Sequence, residues 1–169
     1  MKPALFLGAL LALCACSGEK AAAPQQGKAL SCETSETGAV AATGAWLREQ
    51  KDATAMSAAY FTLCNGAMTP ATLTGVSTPA AGRAEIHQSS RDENGVVSMA
   101  PAGEIILAPG ERVLFEPGGK HVMLMALAAP IASGDHAALT LQFANGASIV
   151  VDAIAKSNVE AAMNDHEGH

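Results

Sequence analysis

The chain reads as an all-β sandwich or barrel, on three observations. From Val40 onward, short runs rich in apolar and β-branched residues recur at roughly 8–12-residue spacing. Gly, Pro and Asn-Gly steps punctuate them. No stretch of about 12 residues in this body carries a helical period. Hydrophobic residues make up 49% of the 169, but much of that is Ala and aromatics are only 4%, which is enough for one core and not two.

The strands follow in order. Gly44–Arg48 is strand-like, with Trp46 expected as a core anchor. Ala58–Cys64 comes next and ends at Asn65-Gly66; Thr72–Val76 ends at Ser77-Thr78-Pro79. Arg83–Gln88, Val96–Met99, Glu104–Leu107 and Arg112–Phe115 are four more. Asn94-Gly95, Pro109-Gly110 and Pro117-Gly118-Gly119 supply the turn chemistry among and after them. His121–Leu127, Ala137–Phe143 and Ser148–Ala153 complete the body, separated by Ser133-Gly134-Asp135 and Asn145-Gly146.

The two ends are not part of this pattern. Met1-Lys2 and the apolar run Ala4–Leu13 read as a signal peptide, too short to span a bilayer as a helix. The run closes on Leu13-Cys14-Ala15-Cys16, which resembles a bacterial lipobox. That resemblance implies a signal over residues 1–15, lipidation at Cys16, a tether over 16–30, and a periplasmic chain held to the membrane by its lipid alone. By the same resemblance, Ser17 rather than Asp after the cysteine implies the outer over the inner membrane. The folded body is expected over 31–155, and 156–169 is expected to be a flexible tail carrying Met163, His166 and His169.

Two cysteines remain in the body, Cys32 and Cys64. In an oxidising compartment such a pair is expected to bridge, with two thiol metal ligands as the alternative. A formal net charge of -6 gives no basic footprint for nucleic acid. No Ser-His-Asp set, paired-carboxylate motif, phosphate-binding Gly loop or Cys-x-x-Cys is visible, so nothing points to an enzyme.

The chemistry concentrates in Lys120–Met125. On a strand, residues two apart share a face, so His121 and Met123 present an imidazole and a thioether side by side. By itself a His-x-Met on a strand is a common packed or solvated pair. His87 and Met99 lie upstream, flanking the turn-rich Asp92–Gly95. A two-residue Asn94-Gly95 turn would put those two on opposite faces. An odd-length loop centred on Glu93 would put them directly opposite one another, and a metal site needs the odd-length loop or a bulge. Two imidazoles and two thioethers suit Cu(I), a soft ion tolerant of low coordination numbers.

Taken together, His87, a Met twelve positions on (Met99), and His121-Val122-Met123 after twenty-one intervening residues resemble the PCu(A)C family of periplasmic copper chaperones. Gly44-Ala45-Trp46, Ser57–Phe61 and Pro117–Met125 resemble its flanking motifs, and the likeness covers roughly residues 38–155. Gln88 departs from a Met found after the first His in many members. The resemblance implies a cupredoxin-like Greek-key β-sandwich with His87, Met99, His121 and Met123 as Cu(I) ligands near the surface. It implies delivery to copper centres of respiratory cytochrome oxidase, through an oxidase subunit or another copper chaperone. It also implies a possible second copper, Cu(II), on Met163, His166 and His169. Two other readings share the donors or the fold: a copper buffer or resistance protein, and a cupredoxin-like electron carrier. The carrier would need a cysteine thiolate near His121, and none stands there. Met125 shares the parity of Met123 and is read as core or supporting; Met56 and Met68 are read as packing or loop residues, and His136 as solvated.

Overall fold

A computed structural model describes Cys32 and residues 38–157. Ten strands and no helix occur among them. They are β1 (Val40–Arg48), β2 (Ser57–Asn65), β3 (Ala71–Ser77), β4 (Ala81–Arg91) and β5 (Val97–Pro101), then β6 (Ile105–Leu107), β7 (Arg112–Phe115), β8 (Lys120–Leu127), β9 (His136–Phe143) and β10 (Ser148–Lys156). The all-β expectation holds, and each strand read from the sequence has its counterpart.

Hydrogen bonding joins the strands in the order β5-β4-β8-β7-β2-β1-β10-β9-β3-β6. The first half of β2 pairs with β8 and its second half with β7, all antiparallel. The parallel β1–β10 pairing carries the sheet from one layer to the other. Leu47, Phe61, Leu63, Ile86, Val122 and Leu124 meet Leu73, Leu107, Leu139, Leu141, Ala153 and Ala155 in one buried cluster between the layers. Period-2 alternation does the sorting: on β8, Val122 and Leu124 turn inward, so His121 and Met123 must turn outward.

Trp46 corrects a sequence expectation. It is half-buried on the outer face and packs against Tyr60, ring centroids 4.3 Å apart and planes tilted by 31°, with Lys156 Nζ 5.4 Å over its ring. The cause is a register shift between Thr43 and Trp46, where Gly44 adopts φ +62°. Before the bulge, Val40 and Ala42 lean on the core; after it, Ala45 and Leu47 do. One extra residue flips the parity, and Leu47 becomes the anchor at 1% exposure.

The β4–β5 hairpin decides whether His87 and Met99 share a face. Its loop is odd-length, Asp92 to Val96, but centred on Asn94 rather than Glu93. His87 therefore pairs with Pro101, and Met99 with Ser89, one pair further along the same face. Asp92 builds the loop: its Oδ1 accepts from the Asn94 and Val96 amides, and its carbonyl accepts from Gly95 N–H. Gly95 sits at φ +81°. Gly95→Ala should destabilise the domain by about 1–2 kcal/mol, the penalty for a Cβ in the left-handed region, read as a lower urea midpoint. An unchanged midpoint would mean that this loop does not hold the hairpin register.

Cys32 and Cys64 are joined by a disulfide. Cys32 N–H also donates to Gly110 O, so the chain entering the domain is fastened beside the β6–β7 turn.

Candidate metal centre

β4 and β8 pair so that His87 lies directly across from His121 and Glu85 across from Met123. Their imidazole centroids are 6.1 Å apart. β5 brings Met99 onto the same side from the sheet edge. A cavity of about 220 Å³ opens here, and Met99, His121 and Met123 all line it. His87 stands beside the cavity without lining it. A larger apolar cavity of about 370 Å³, between Val40, Pro70, Phe143 and Ile149, lies at the other end of β1 and β2 and holds none of these donors.

Each imidazole is oriented by a neighbour. The turn Glu116–Gly119, with Gly118 at φ +78°, aims the Gly119 carbonyl at both Ser89 N–H and His121 Nδ1, the latter at 3.1 Å. A carbonyl only accepts, so His121 donates from Nδ1 and keeps the Nε2 lone pair for a ligand. The ring is 4% exposed and packs near Tyr60, centroid to centroid 6.4 Å. His87 Nε2 is 3.2 Å from Glu85 Oε2, and Glu85 Oε1 is held by Arg83 Nη2. Hydrogen bonds from His87, then from Arg83, hold the Glu85 carboxyl below its ordinary range. The other His87 nitrogen, Nδ1, is buried and has no hydrogen-bond partner.

The donors span a gradient of exposure. His121 is buried, His87 and Met123 are half-buried, and Met99 is 50% exposed. No three His, Cys, Asp or Glu side chains gather to hold a metal among the described residues. Beside the two imidazoles stand the thioethers of Met99 and Met123, donors that suit soft ions. Cys64 lies at the far end of β2, bridged to Cys32, and supplies no thiolate.

The reading of Met56 as a packing or loop residue holds for its loop but leaves out its place at the cavity. Met56, in the loop before β2 and 57% exposed, lines the same cavity. It has no strand parity to betray it; only the position of its loop beside β8 brings it there. Met125 faces the same side as Met123 but pairs with Arg83, away from the cavity lining. Met68 is exposed in a loop, and His136 is exposed at the start of β9 with Nδ1 2.6 Å from Asp152 Oδ2. Cys16, Met163, His166 and His169 lie outside the described residues.

The profile of the family described as "Putative lipoprotein LpqE-like" matches residues 40–155. A protein of Leifsonia xyli subsp. xyli, described as a putative lipoprotein, is 30% identical over 114 residues, which cover 67% of this chain and 68% of that one. Among solved structures, the copper-bound PCuAC domain from PmoF2 superposes with a TM-score of 0.59 at 24% identity, covering 75% of this chain and 97% of that one. The solution structure of apo-DR1885 from Deinococcus radiodurans superposes with a TM-score of 0.54 at 26% identity, covering 95% and 99%. On the profile match over residues 40–155 the chain belongs to the LpqE-like lipoprotein family, and its all-β, cupredoxin-like fold is the one seen in the PCuAC domains.

Proposed function

We propose that the domain is a copper chaperone of the bacterial envelope that holds one Cu(I) through His87, Met99, His121 and Met123 and passes it to an acceptor protein. The observation that carries this reading is the register of β5-β4-β8. It brings the two imidazoles opposite each other, with both thioethers on the same side. Neutral imidazole and thioether suit a closed-shell soft ion, and a thioether carries no proton to lose on binding. Methionine also cannot be lost to disulfide formation in an oxidising compartment.

Exposure favours transfer over storage. Met99 stands half in solvent at the sheet edge, where an incoming ligand can displace it first. The buried His121 then leaves last. An acceptor docking over β5 and the cavity mouth would take copper by stepwise ligand exchange. We place that acceptor among the copper centres of respiratory oxidase, or a chaperone that serves them, with the domain tethered by a lipid on Cys16.

The test is an anaerobic Cu(I) competition titration against a coloured chelator, using the soluble chain and a version ending at residue 156. One tight equivalent in both supports the core site. A second equivalent lost with the tail would assign metal binding to Met163, His166 and His169. No tight equivalent in either would sink the proposal. Trp46, the only tryptophan, reports on the same event, because it packs against Tyr60, which in turn lies beside His121. Its emission should change with Cu(I) and saturate at one equivalent; a flat response would place the bound metal elsewhere. Transfer to a soluble copper-accepting oxidase domain separates a chaperone from a buffer.

A further inference from the structure

We infer that Glu85 is a positioning residue of the metal centre: its carboxylate holds the proton of His87 on Nε2 and so leaves Nδ1 as that ring's metal donor. This rests on the reading that His87 binds Cu(I).

Arg83, Glu85 and His87 alternate along β4 and share its outer face. Glu85 is bound at both oxygens: Oε1 takes a guanidinium N–H from Arg83, and Oε2 lies 3.2 Å from His87 Nε2. A carboxylate only accepts, so that contact is a hydrogen bond only when Nε2 carries a proton. Neutral imidazole has a single N–H, and its lone pair is then on Nδ1. Nδ1 is the one buried side-chain nitrogen or oxygen among the described residues with no partner. A buried acceptor without a donor is unfavourable, and a bound cation satisfies it.

The two rings thus differ. His121 is protonated at Nδ1 by the Gly119 carbonyl's demand and binds through Nε2; His87 is protonated at Nε2 and binds through Nδ1. Paired across β4 and β8, they present different nitrogens to one ion. Arg83 orients the carboxylate from the other side and keeps it from swinging toward the ion. Glu85 is not itself assigned as a ligand. Both its oxygens are occupied, and carboxylate oxygen is a poor match for Cu(I). Groups that orient a metal-binding histidine in this way typically carry about 10–100-fold of metal affinity.

The experiment has two readouts on the same full chain. Nitrogen-resolved NMR of the imidazoles, without metal, should show His87 with its proton on Nε2 and His121 with its proton on Nδ1. Glu85→Ala should abolish the His87 preference, leave His121 unchanged, and weaken Cu(I) binding by about 10–100-fold. Glu85→Gln keeps one accepting oxygen but replaces the other with a donating amide, shared between Arg83 and His87, so its His87 tautomer preference and Cu(I) affinity should fall between those of the parent and of Glu85→Ala. Circular dichroism should be the same in all three proteins, since Glu85 is partly exposed. A parent chain with the His87 proton on Nδ1 would overturn the inference. So would a Glu85→Ala variant that binds Cu(I) as tightly as the parent. If the parent binds no Cu(I), the copper reading falls and this inference falls with it, whatever the tautomer.

Discussion

Replacing His121 and Met123 together with alanine should weaken Cu(I) binding by well over about a hundredfold, beyond what losing a merely orienting neighbour does. The fold should survive. The inward face of β8 is Val122 and Leu124, both fully buried, and neither is touched. His121 makes one hydrogen bond, to Gly119 O, and that carbonyl keeps its second donor, Ser89 N–H. Met123 is only half-buried and lines an open cavity, so its truncation leaves little void. Circular dichroism should therefore stay near that of the parent, while the void left by the buried His121 ring lowers the urea midpoint without unfolding the domain. Met99→Ala should weaken binding less and speed release more, since Met99 is the exposed donor at the edge. A double variant that unfolds globally would count against a surface site decoupled from the core. A folded double variant that still binds tightly would remove these two residues from the site.

The largest stability effect is expected at Asn65, a residue with no part in metal binding. Its side chain is fully buried at the end of β2. Nδ2 donates toward the carbonyls of Thr69, Leu107 and Ala108, and Oδ1 accepts from Ala67 N–H. Its backbone adds N–H to Glu111 O and accepts from Gly110 N–H. One amide thus ties the β2–β3 loop to the β6–β7 turn, beside the point where Cys32 is fastened. Asn65→Ala strands several of these partners, the Leu107 carbonyl in the interior among them. At about 1–3 kcal/mol for each buried group left unpaired, the expected loss is about 2–4 kcal/mol. It should appear as a lower urea midpoint with an unchanged slope. Asn65→Asp should be at least as harmful, because a carboxylate cannot donate to three carbonyls. The folded fraction should bind Cu(I) as the parent does, since the site lies at the other end of β2. A midpoint equal to the parent's would show that water replaces the amide at no loss.

Most of the strand layout was legible in the residues because alternation and turn chemistry are local. Val122 and Leu124 between His121, Met123 and Met125 already state which side faces the core. The bulge at Gly44–Ala45 was not legible, and it turned Trp46 outward: a Gly-Ala step reads equally well as straight strand. The same holds for the β4–β5 loop. Asp92–Val96 is compatible with several loop lengths, and only the Asp92 carboxylate capping two amides selects five residues centred on Asn94. Asn65 looked like a turn residue because a partner forty residues away leaves no trace in local sequence.

The sequence by itself determined the all-β class, the strands, the cysteine pair and the four candidate donors, two imidazoles and two thioethers, because each depends on side-chain type and short-range period. The tertiary structure decided how those donors meet. Pairing β4 with both β5 and β8 set His87 across from His121, with Met99 one step off. It also brought Met56 to the cavity and Glu85 to the His87 ring. Register between strands is a long-range choice, fixed by the whole core closing at once, and a one-residue slip would have turned every donor to the other face.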